Sequence, residues 1–396
     1  MTAASAEPTP RPYRWIGDQD AFDEVLVALS AADVYGLDTE FHRERTYHAR
    51  LALLQLSWPE GIAVVDPLAV DVAALHRVLV GPGLCVMHAA SQDLEILLRV
   101  CGAVPGRLFD TQVAAGFVGY SSVGLGGLVQ GELGIGLPKA DRLTDWLVRP
   151  LSEGAVDYAA SDVAHLHELH DVLVAKLSAR GRLQWAEDEC EVHRTRAVAP
   201  PPPERAWWRI KEARSLKGRA AAVAQSLAAW RERRAAEVDR PVRFLLADLA
   251  LVAMAQRPPR SEADLKRVRG LDEGKRKGGS AKELLDVVAE GVELPLAEVQ
   301  SPPTEGVDRS RRAAASLVSA WAAQRARDLE IDAAILATRS DIESLLMGDG
   351  GRLASGWRHD VVGEPIRALA AGEASLALDA AGRLVLETRS GQPLVE

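Results

Sequence analysis

The chain has 396 residues, too many for one ordinary core, so two or three domains are expected. Its formal net charge of −9 argues against a simple polybasic nucleic-acid binder. Three cysteines (Cys85, Cys101, Cys190), no basic-then-apolar leader and no apolar run of about 18 residues argue against a disulfide framework, a secreted protein and a membrane span, so a reducing cytoplasmic home is expected.

The charge is uneven: from Arg194 to Lys282, 22 Lys and Arg stand against 10 Asp and Glu, an excess of twelve that leaves the rest of the chain at −21. An acidic body with a basic segment suits an enzyme whose bound cations meet a polyanion at the acidic part, and equally suits a solvated Arg-rich helical face.

Residues 1–12 read as a mobile tail, with two prolines and three Ser/Thr in the first ten. A strand is expected from Tyr13 to Ile16, then a helix carrying Phe22, Val25, Leu26 and Leu29. Extended runs follow at 34–41, 51–56 and 62–65, the last two joined by Pro59-Glu60-Gly61 and therefore antiparallel. Beyond them helix and strand alternate: helical at 72–79, extended at 84–87, helical at 94–100, extended at Leu108-Phe109. Glycines and small residues between Gly116 and Gly136 predict loops and short helices. One long helix is expected over 152–177, with a stripe of Val156, Ala160, Val163, Leu166, Leu173 and Leu177. The expectation is a mixed sheet flanked by helices.

Ala199 and four prolines form a stiff spacer, after which the composition turns basic and helical, and Ser301-Pro302-Pro303 marks a second boundary. Trp230, Arg234, Phe244-Leu245 and Met254 recur at an offset of 91 as Trp321, Arg325, Ile335-Leu336 and Leu345, which suggests two related helical modules. Amphipathic helices also produce such recurrences by chance.

Asp38-Thr39-Glu40-Phe41 closes the extended run that begins at Val34. On a strand, period-2 alternation puts Asp38 and Glu40 on one face about 7 Å apart, where both can converge on one cation. Alone, the tetrapeptide reads more simply as an acidic strand end facing solvent. In His88-Ala89-Ala90-Ser91-Gln92-Asp93, a strand gives way to a helix with Ser91 as candidate N-cap and Asp93 in its first turn, where an acid suits the helix dipole. Tyr158 and Asp162 stand four apart on the late helix, nearly above one another. Together the set comprises two acids on a strand, a third opening a helix, and Tyr-x-x-x-Asp on a late helix.

On these motifs the chain resembles the ribonuclease D family, in the tyrosine-bearing subclass of the DEDD 3′→5′ exonucleases. The first motif runs from Asp38-Thr39-Glu40-Phe41 through Arg45-Thr46-Tyr47 to Leu51-Ala52-Leu53-Leu54-Gln55-Leu56; the second is His88 to Glu95; the third is Tyr158-Ala159-Ala160-Ser161-Asp162-Val163. Phe109-Asp110-Thr111-Gln112 and Asp141-Arg142-Leu143-Thr144-Asp145-Trp146 resemble the family's connecting segments. The resemblance covers roughly residues 13–185 and implies a ribonuclease-H-like α/β exonuclease domain at 13–195. It is followed by a Pro-rich linker at 196–203, an all-α HRDC domain at 204–292, a linker at 293–305 and a second, degenerate HRDC-like helical module at 306–385.

Phosphodiester hydrolysis must activate a water, carry charge on a pentacovalent phosphate and release an alkoxide, and two divalent cations about 3.5–4 Å apart serve all three. Hard cations such as Mg²⁺ or Mn²⁺ take oxygen ligands. The resemblance implies that Asp38, Glu40 and Asp162 hold the nucleophile-side ion, that Asp38 bridges to the second and that Asp93 supports it. Tyr158, a poor base with an ordinary pKa of about 10, is assigned to orienting the water and to proton relay.

The implied activity is 3′–5′ exoribonuclease trimming of RNA 3′ ends, with transfer RNA precursors and other structured RNA as substrates and nucleoside 5′-monophosphates as products. A DNA exonuclease on the same scaffold and a catalytically silent RNA-binding protein are the alternatives. Lys139 and Arg142 are candidates to hold the RNA backbone, or are solvated. Trp207, beside Arg209 and Lys211, is a candidate for base stacking or for a module core with a basic rim. His165, His167 and His170 are read as exposed or packing residues. Gly270-x-x-x-Gly274-Lys275 is one residue short of a phosphate loop, so no nucleotide triphosphate is expected there. No membrane partner is expected, and the chain is taken as a monomer.

Overall fold

The computed structural model describes residues 11–138, 144–198, 201–302, 312–348 and 350–390. The first ten residues of the expected tail, positions 199–200 and 303–305 of the spacers, the start of the C-terminal module at 306–311, and Lys139 and Arg142 lie outside the described residues. The chain divides into two compact units, one of Met1–Glu40, Ala52–Val198 and Gly306–Glu396, the other of Phe41–Leu51 and Ala199–Glu305.

The first unit opens with β1 (Arg14–Ile16), α1 (Gln19–Ala31), β2 (Val34–His42), β3 (Arg50–Trp58), β4 (Gly61–Val65), α2 (His76–Leu79), β5 (Leu84–Met87), α3 (Ser91–Cys101) and β6 (Arg107–Asp110). The strands form one sheet in the order β1-β4-β3-β2-β5-β6. It is mixed, as the sequence predicts: β3 and β4 run antiparallel, whereas β1–β4, β2–β5 and β5–β6 are parallel. Seven consecutive residues of β3 are buried, as in a strand covered on both faces.

The helices that follow are α4 (Thr111–Gly116), α5 (Leu125–Leu133), α6 (Glu153–Ala164), α7 (Leu166–Ala179) and α8 (Leu183–Val198). The single long helix expected over 152–177 is instead two, because His165 leaves the helical region at φ −120° and ψ 12°. The break keeps Val163 and Leu166 both buried although they project from different helices. Gly36, on the same strand face as Asp38, makes room for this junction. A Cβ there would overlap Ser57 Oγ and lie 3.1 Å from Leu166 Cδ1.

The second unit is helical: α9 (Gly218–Glu237), α10 (Val242–Leu245), α11 (Asp248–Gln256), α12 (Glu262–Leu265) and α13 (Gly278–Glu293) enclose Trp207, Leu227, Met254, Leu284 and Val288. α9 and α13 touch at Gly291, where a Cβ would come within 2.7 Å of Val223 Cα. The Phe41–Leu51 segment belongs here, held by Tyr47 Oη donating to Glu232 Oε2 (2.8 Å) and His48 N donating to Asp239 Oδ1 (3.0 Å).

The chain then returns to the first unit with α14 (Arg312–Leu329), α15 (Ala333–Leu336), α16 (Arg339–Met347), α17 (Gly356–Arg358) and α18 (Glu364–Ala371). α15 and α16 fall 91 residues after α10 and α11, the offset of the recurring residues, whereas 91 residues after α13 the chain forms a hairpin. A hairpin of β7 (Ala374–Leu378) and β8 (Leu384–Thr388) follows, an addition to the expected all-helical module. This C-terminal module shares the core of the sheet domain. Trp357 stacks on Trp185 at 5.1 Å and meets Phe117 edge-on at 5.2 Å. Beside them Arg358 and Glu189, each under a tenth exposed, pair at 2.7 Å, and Arg358 Nε donates to Ile335 O.

Removing one partner of a buried pair strands the other charge, so Glu189→Leu is expected to destabilise by about 3–5 kcal/mol. Glu189→Leu combined with Arg358→Leu should cost less. Thermal unfolding of the single and double variants checks this; a double variant as unstable as the single one would contradict the charge argument.

Candidate active site

The alternation of β2 places Gly36, Asp38 and Glu40 on one face, and Thr39 between them is buried on the other. The Thr39 hydroxyl donates to Asp93, tying the first turn of α3 to the strand between the two acids. On α6, Tyr158 donates its hydroxyl to Asp162 one turn on, and Ser161 Oγ donates to Tyr158 O at 2.6 Å.

These four carboxylates interact electrostatically in a largely buried setting. Burial holds Asp38 well above the usual carboxylate range, and Asp162, Asp93 and Glu40 add to the effect. Burial and Asp93 push Glu40 up to about 7. Asp162 is pushed up to about 8 by burial and Glu40, against the pull of the Tyr158 hydrogen bond. Asp93 is pushed up to about 6 by burial, with the Thr39 hydrogen bond opposing. Desolvation together with like charges is the combination that marks a carboxylate cluster lacking a counter-charge. Burial, Asp162, Glu40 and Asp38 raise the Tyr158 phenol above its ordinary value, so at neutral pH it is a hydrogen-bond donor and not a base.

Among the described residues no three His, Cys, Asp or Glu side chains are already gathered as a cation cage. The donor set nonetheless fits hard divalent cations. It offers only oxygen ligands, and a cation is what would let all four acids ionise together.

The second motif is built differently from the sequence reading. Ser91 is not the N-cap of α3; Ala90 is, and its side chain caps nothing. Asp110, at the end of β6 and the N-cap of α4, instead braces the turn that leads into α3. Its carboxylate is buried and accepts from Ala89 N (3.0 Å), Ala90 N (2.9 Å) and Gln112 N (2.9 Å). Ala89 sits at φ 58°, a left-handed conformation that costs a non-glycine residue energy and needs such support. Asp110→Ala is expected to lower turnover by about 10–100-fold, the usual scale for a group that orients a ligand. Steady-state rates and cation titration check it; full turnover with a lowered melting temperature would make Asp110 purely structural.

The third motif is supported from the loop before α6. Arg149 donates to Trp146 O (2.7 Å), Val148 O (2.9 Å) and Ala52 O (2.7 Å) and pairs with Asp66 at 2.7 Å, and the Trp146 ring lies 6.3 Å from that of Tyr158.

The structure thus brings Asp38, Glu40, Asp93, Tyr158 and Asp162 within electrostatic reach of one another, short of a formed cation cage. Thr39, Asp110 and Arg149 are supporting residues the sequence reading did not single out. The candidate substrate contacts fare otherwise. Trp207 is fully buried in the helical core and cannot stack on a base, and the neighbouring Trp208 donates its indole N–H to Gln300 O (2.8 Å) with Arg205 over its ring. Arg209 pairs with Glu232 at 2.9 Å, while Lys211 is exposed. Arg231–Asp248, Arg233–Glu204, Arg234–Glu237 and Lys275–Asp272 pair within the basic segment, but their acids are already counted there, so the excess of twelve remains.

Comparison with known proteins agrees with this architecture. A family model described as 3′-5′ exonuclease matches residues 13–178, and one described as HRDC domain matches 220–288. The chain is 37% identical to the ribonuclease D of Acidiphilium cryptum over 366 residues, 90% of this chain and 92% of that protein. It is 34% identical to the ribonuclease D of Escherichia coli, over 90% of this chain and 98% of its relative. The crystal structure of Escherichia coli RNase D, described as an exoribonuclease involved in structured RNA processing, superposes with a TM-score of 0.82 at 33% identity, covering 91% of this chain and 98% of that one.

Proposed function

The chain belongs to the ribonuclease D family and is a nuclease hydrolase acting on RNA, and we propose that it shortens RNA from the 3′ end one nucleotide at a time, releasing nucleoside 5′-monophosphates, with transfer RNA precursors as substrates. The observation that carries this reading is the placement of Asp38 and Glu40 on one face of β2, with Asp93 tied to that strand by Thr39 and the Tyr158–Asp162 pair within electrostatic reach. Asp38, Glu40, Asp93 and Asp162 would hold two divalent cations, Mg²⁺ or Mn²⁺. Such ions supply an acidified water and neutralise charge on the phosphate and the leaving oxygen.

Around them the chain's own groups set the geometry. Tyr158, fixed by Asp162 and Trp146, presents its hydroxyl to the attacking water, and Thr39 keeps Asp93 facing the strand. That all three cysteines are free thiols supports a cytoplasmic setting, and the reading takes one chain as the working unit.

Incubation with a transfer RNA precursor carrying a 3′ trailer, beside a DNA oligonucleotide of equal length, tests the reading. Trailer removal at least about tenfold faster than DNA shortening, a difference of about 1.4 kcal/mol, is the expected result. Equal rates on both would favour a DNA exonuclease. Truncation at residue 200 is a poor substitute for point variants, since it strips Glu232 and Asp239 from the segment that follows Glu40.

A further inference from the structure

We propose that Phe244, at the tip of α10 in the helical unit, is a base-stacking platform for single-stranded RNA, with Arg243 and Arg240 as its phosphate contacts. The proposal deepens the function above and rests on the chain acting on RNA. Phe244 is 52% exposed, the guanidinium of Arg243 lies 5.8 Å from its ring centroid, and Arg240 and Arg243 are both exposed. Lys275 Nζ donates to Phe244 O at 2.7 Å. A solvent-facing aromatic ring with cations beside it is the arrangement on which bases stack while the backbone is held.

The internal repeat shows what this knuckle does elsewhere in the same chain. Ninety-one residues on, α15 carries Ile335 at the position of Phe244, and Arg358 donates to Ile335 O as Lys275 does to Phe244 O. That copy is covered. Ile335 packs into the space left by Gly116, which lacks a Cβ, Asp332 N donates to Gly116 O at 2.7 Å, and the Asp332 carboxylate accepts from Ser121.

The two knuckles differ in chemistry at the positions that face a partner. Asp332 and Ile335 meet the protein surface, whereas Pro241 and Phe244 at the matching positions leave a flat ring in solvent with the Arg243 guanidinium over it. The same docking element has therefore exchanged an apolar, acidic face for an aromatic, basic one, which matches a polyanion bearing planar bases.

The test is fluorescence anisotropy of a labelled single-stranded RNA against the full-length protein, with Asp38→Asn present so that the RNA persists. Phe244→Ala should weaken binding about 5- to 100-fold, the range for losing one stacked base, with an unchanged salt slope. Phe244→Trp should bind like the parent, and Phe244→Leu, apolar but not flat, should bind like Phe244→Ala. Arg243→Gln should instead lower the slope of log K against log salt by about 0.7. Binding by Phe244→Ala within about twofold of the parent, or by Phe244→Leu equal to it, would overturn the proposal and point to a protein partner at this knuckle; the half-exposed position puts folding at little risk. If wild-type protein releases no nucleotide from RNA, the functional reading itself fails, which is a separate result.

Discussion

Asp38→Asn and Asp162→Asn are each expected to lower nucleotide release by at least about 10³-fold, equivalent to losing roughly 4 kcal/mol of transition-state stabilisation. The fold should survive, and without added cations it should strengthen. The sign follows from the raised carboxylates. With Glu40 near 7, Asp93 near 6 and Asp162 near 8 in the folded chain, against about 4 in the unfolded one, the native state binds more protons between about pH 4 and pH 8. Stability of the cation-free protein therefore falls as pH rises through that window, and the full penalty is present above it. Removing one acid removes part of the penalty. Asp162→Asn should exceed the wild type at pH 8.5 by at least about 1.4 kcal/mol, the worth of one pKa unit, and the difference should shrink toward pH 4. Chemical denaturation in EDTA at the two pH values measures it. An equal or lower stability of Asp162→Asn at pH 8.5 would mean that the acids do not repel one another as described.

Tyr158→Phe separates positioning from cation holding. The phenol is lifted above its ordinary range, so its loss removes an oriented hydrogen bond and leaves the four carboxylates in place. Turnover should drop by about 10²–10³-fold, as for deletion of one preorganised donor, while Mg²⁺ or Mn²⁺ still raises the melting temperature as it does in the wild type. The pH dependence of what activity remains should move upward, because the titrating groups are the acids and Asp162 loses the Tyr158 hydrogen bond that holds it down. Full activity in Tyr158→Phe would remove the tyrosine from the mechanism, and loss of the cation-induced shift would make it part of the ligand set.

The acids were readable in the sequence because each lies at a place where local pattern fixes direction: a strand end for Asp38 and Glu40, a first helical turn for Asp93, an i, i+4 pair for Tyr158 and Asp162. Their supports were not. Asp110 acts on Ala89 and Ala90 only because β6 lies beside β5, and Thr39 reaches Asp93 only because α3 returns over the strand, so neither role follows from spacing along the chain. Trp207-Trp208 shows the limit from the other side. An aromatic pair among basic residues reads alike whether it faces water or a core, and the short helical turn at Pro203–Arg209 decides it by turning Trp207 inward. The helix break at His165 was hidden because the apolar stripes of α6 and α7 run on in nearly the same period. The C-terminal hairpin could have been found: alternating apolar residues flank Asp379-Ala380-Ala381-Gly382, and Gly382 takes φ 76° at the turn.

The central claim, that the Asp38–Asp162 cluster removes nucleotides from RNA 3′ ends with divalent cations, is tested most directly by following one RNA labelled at either end. With Mg²⁺ or Mn²⁺, the 5′-labelled strand should shorten in single-nucleotide steps and the 3′-labelled strand should yield labelled mononucleotide from the first cycle, and both should stop in EDTA or in Asp162→Asn. Internal fragments, shortening from the 5′ end, or the same release in EDTA would contradict it.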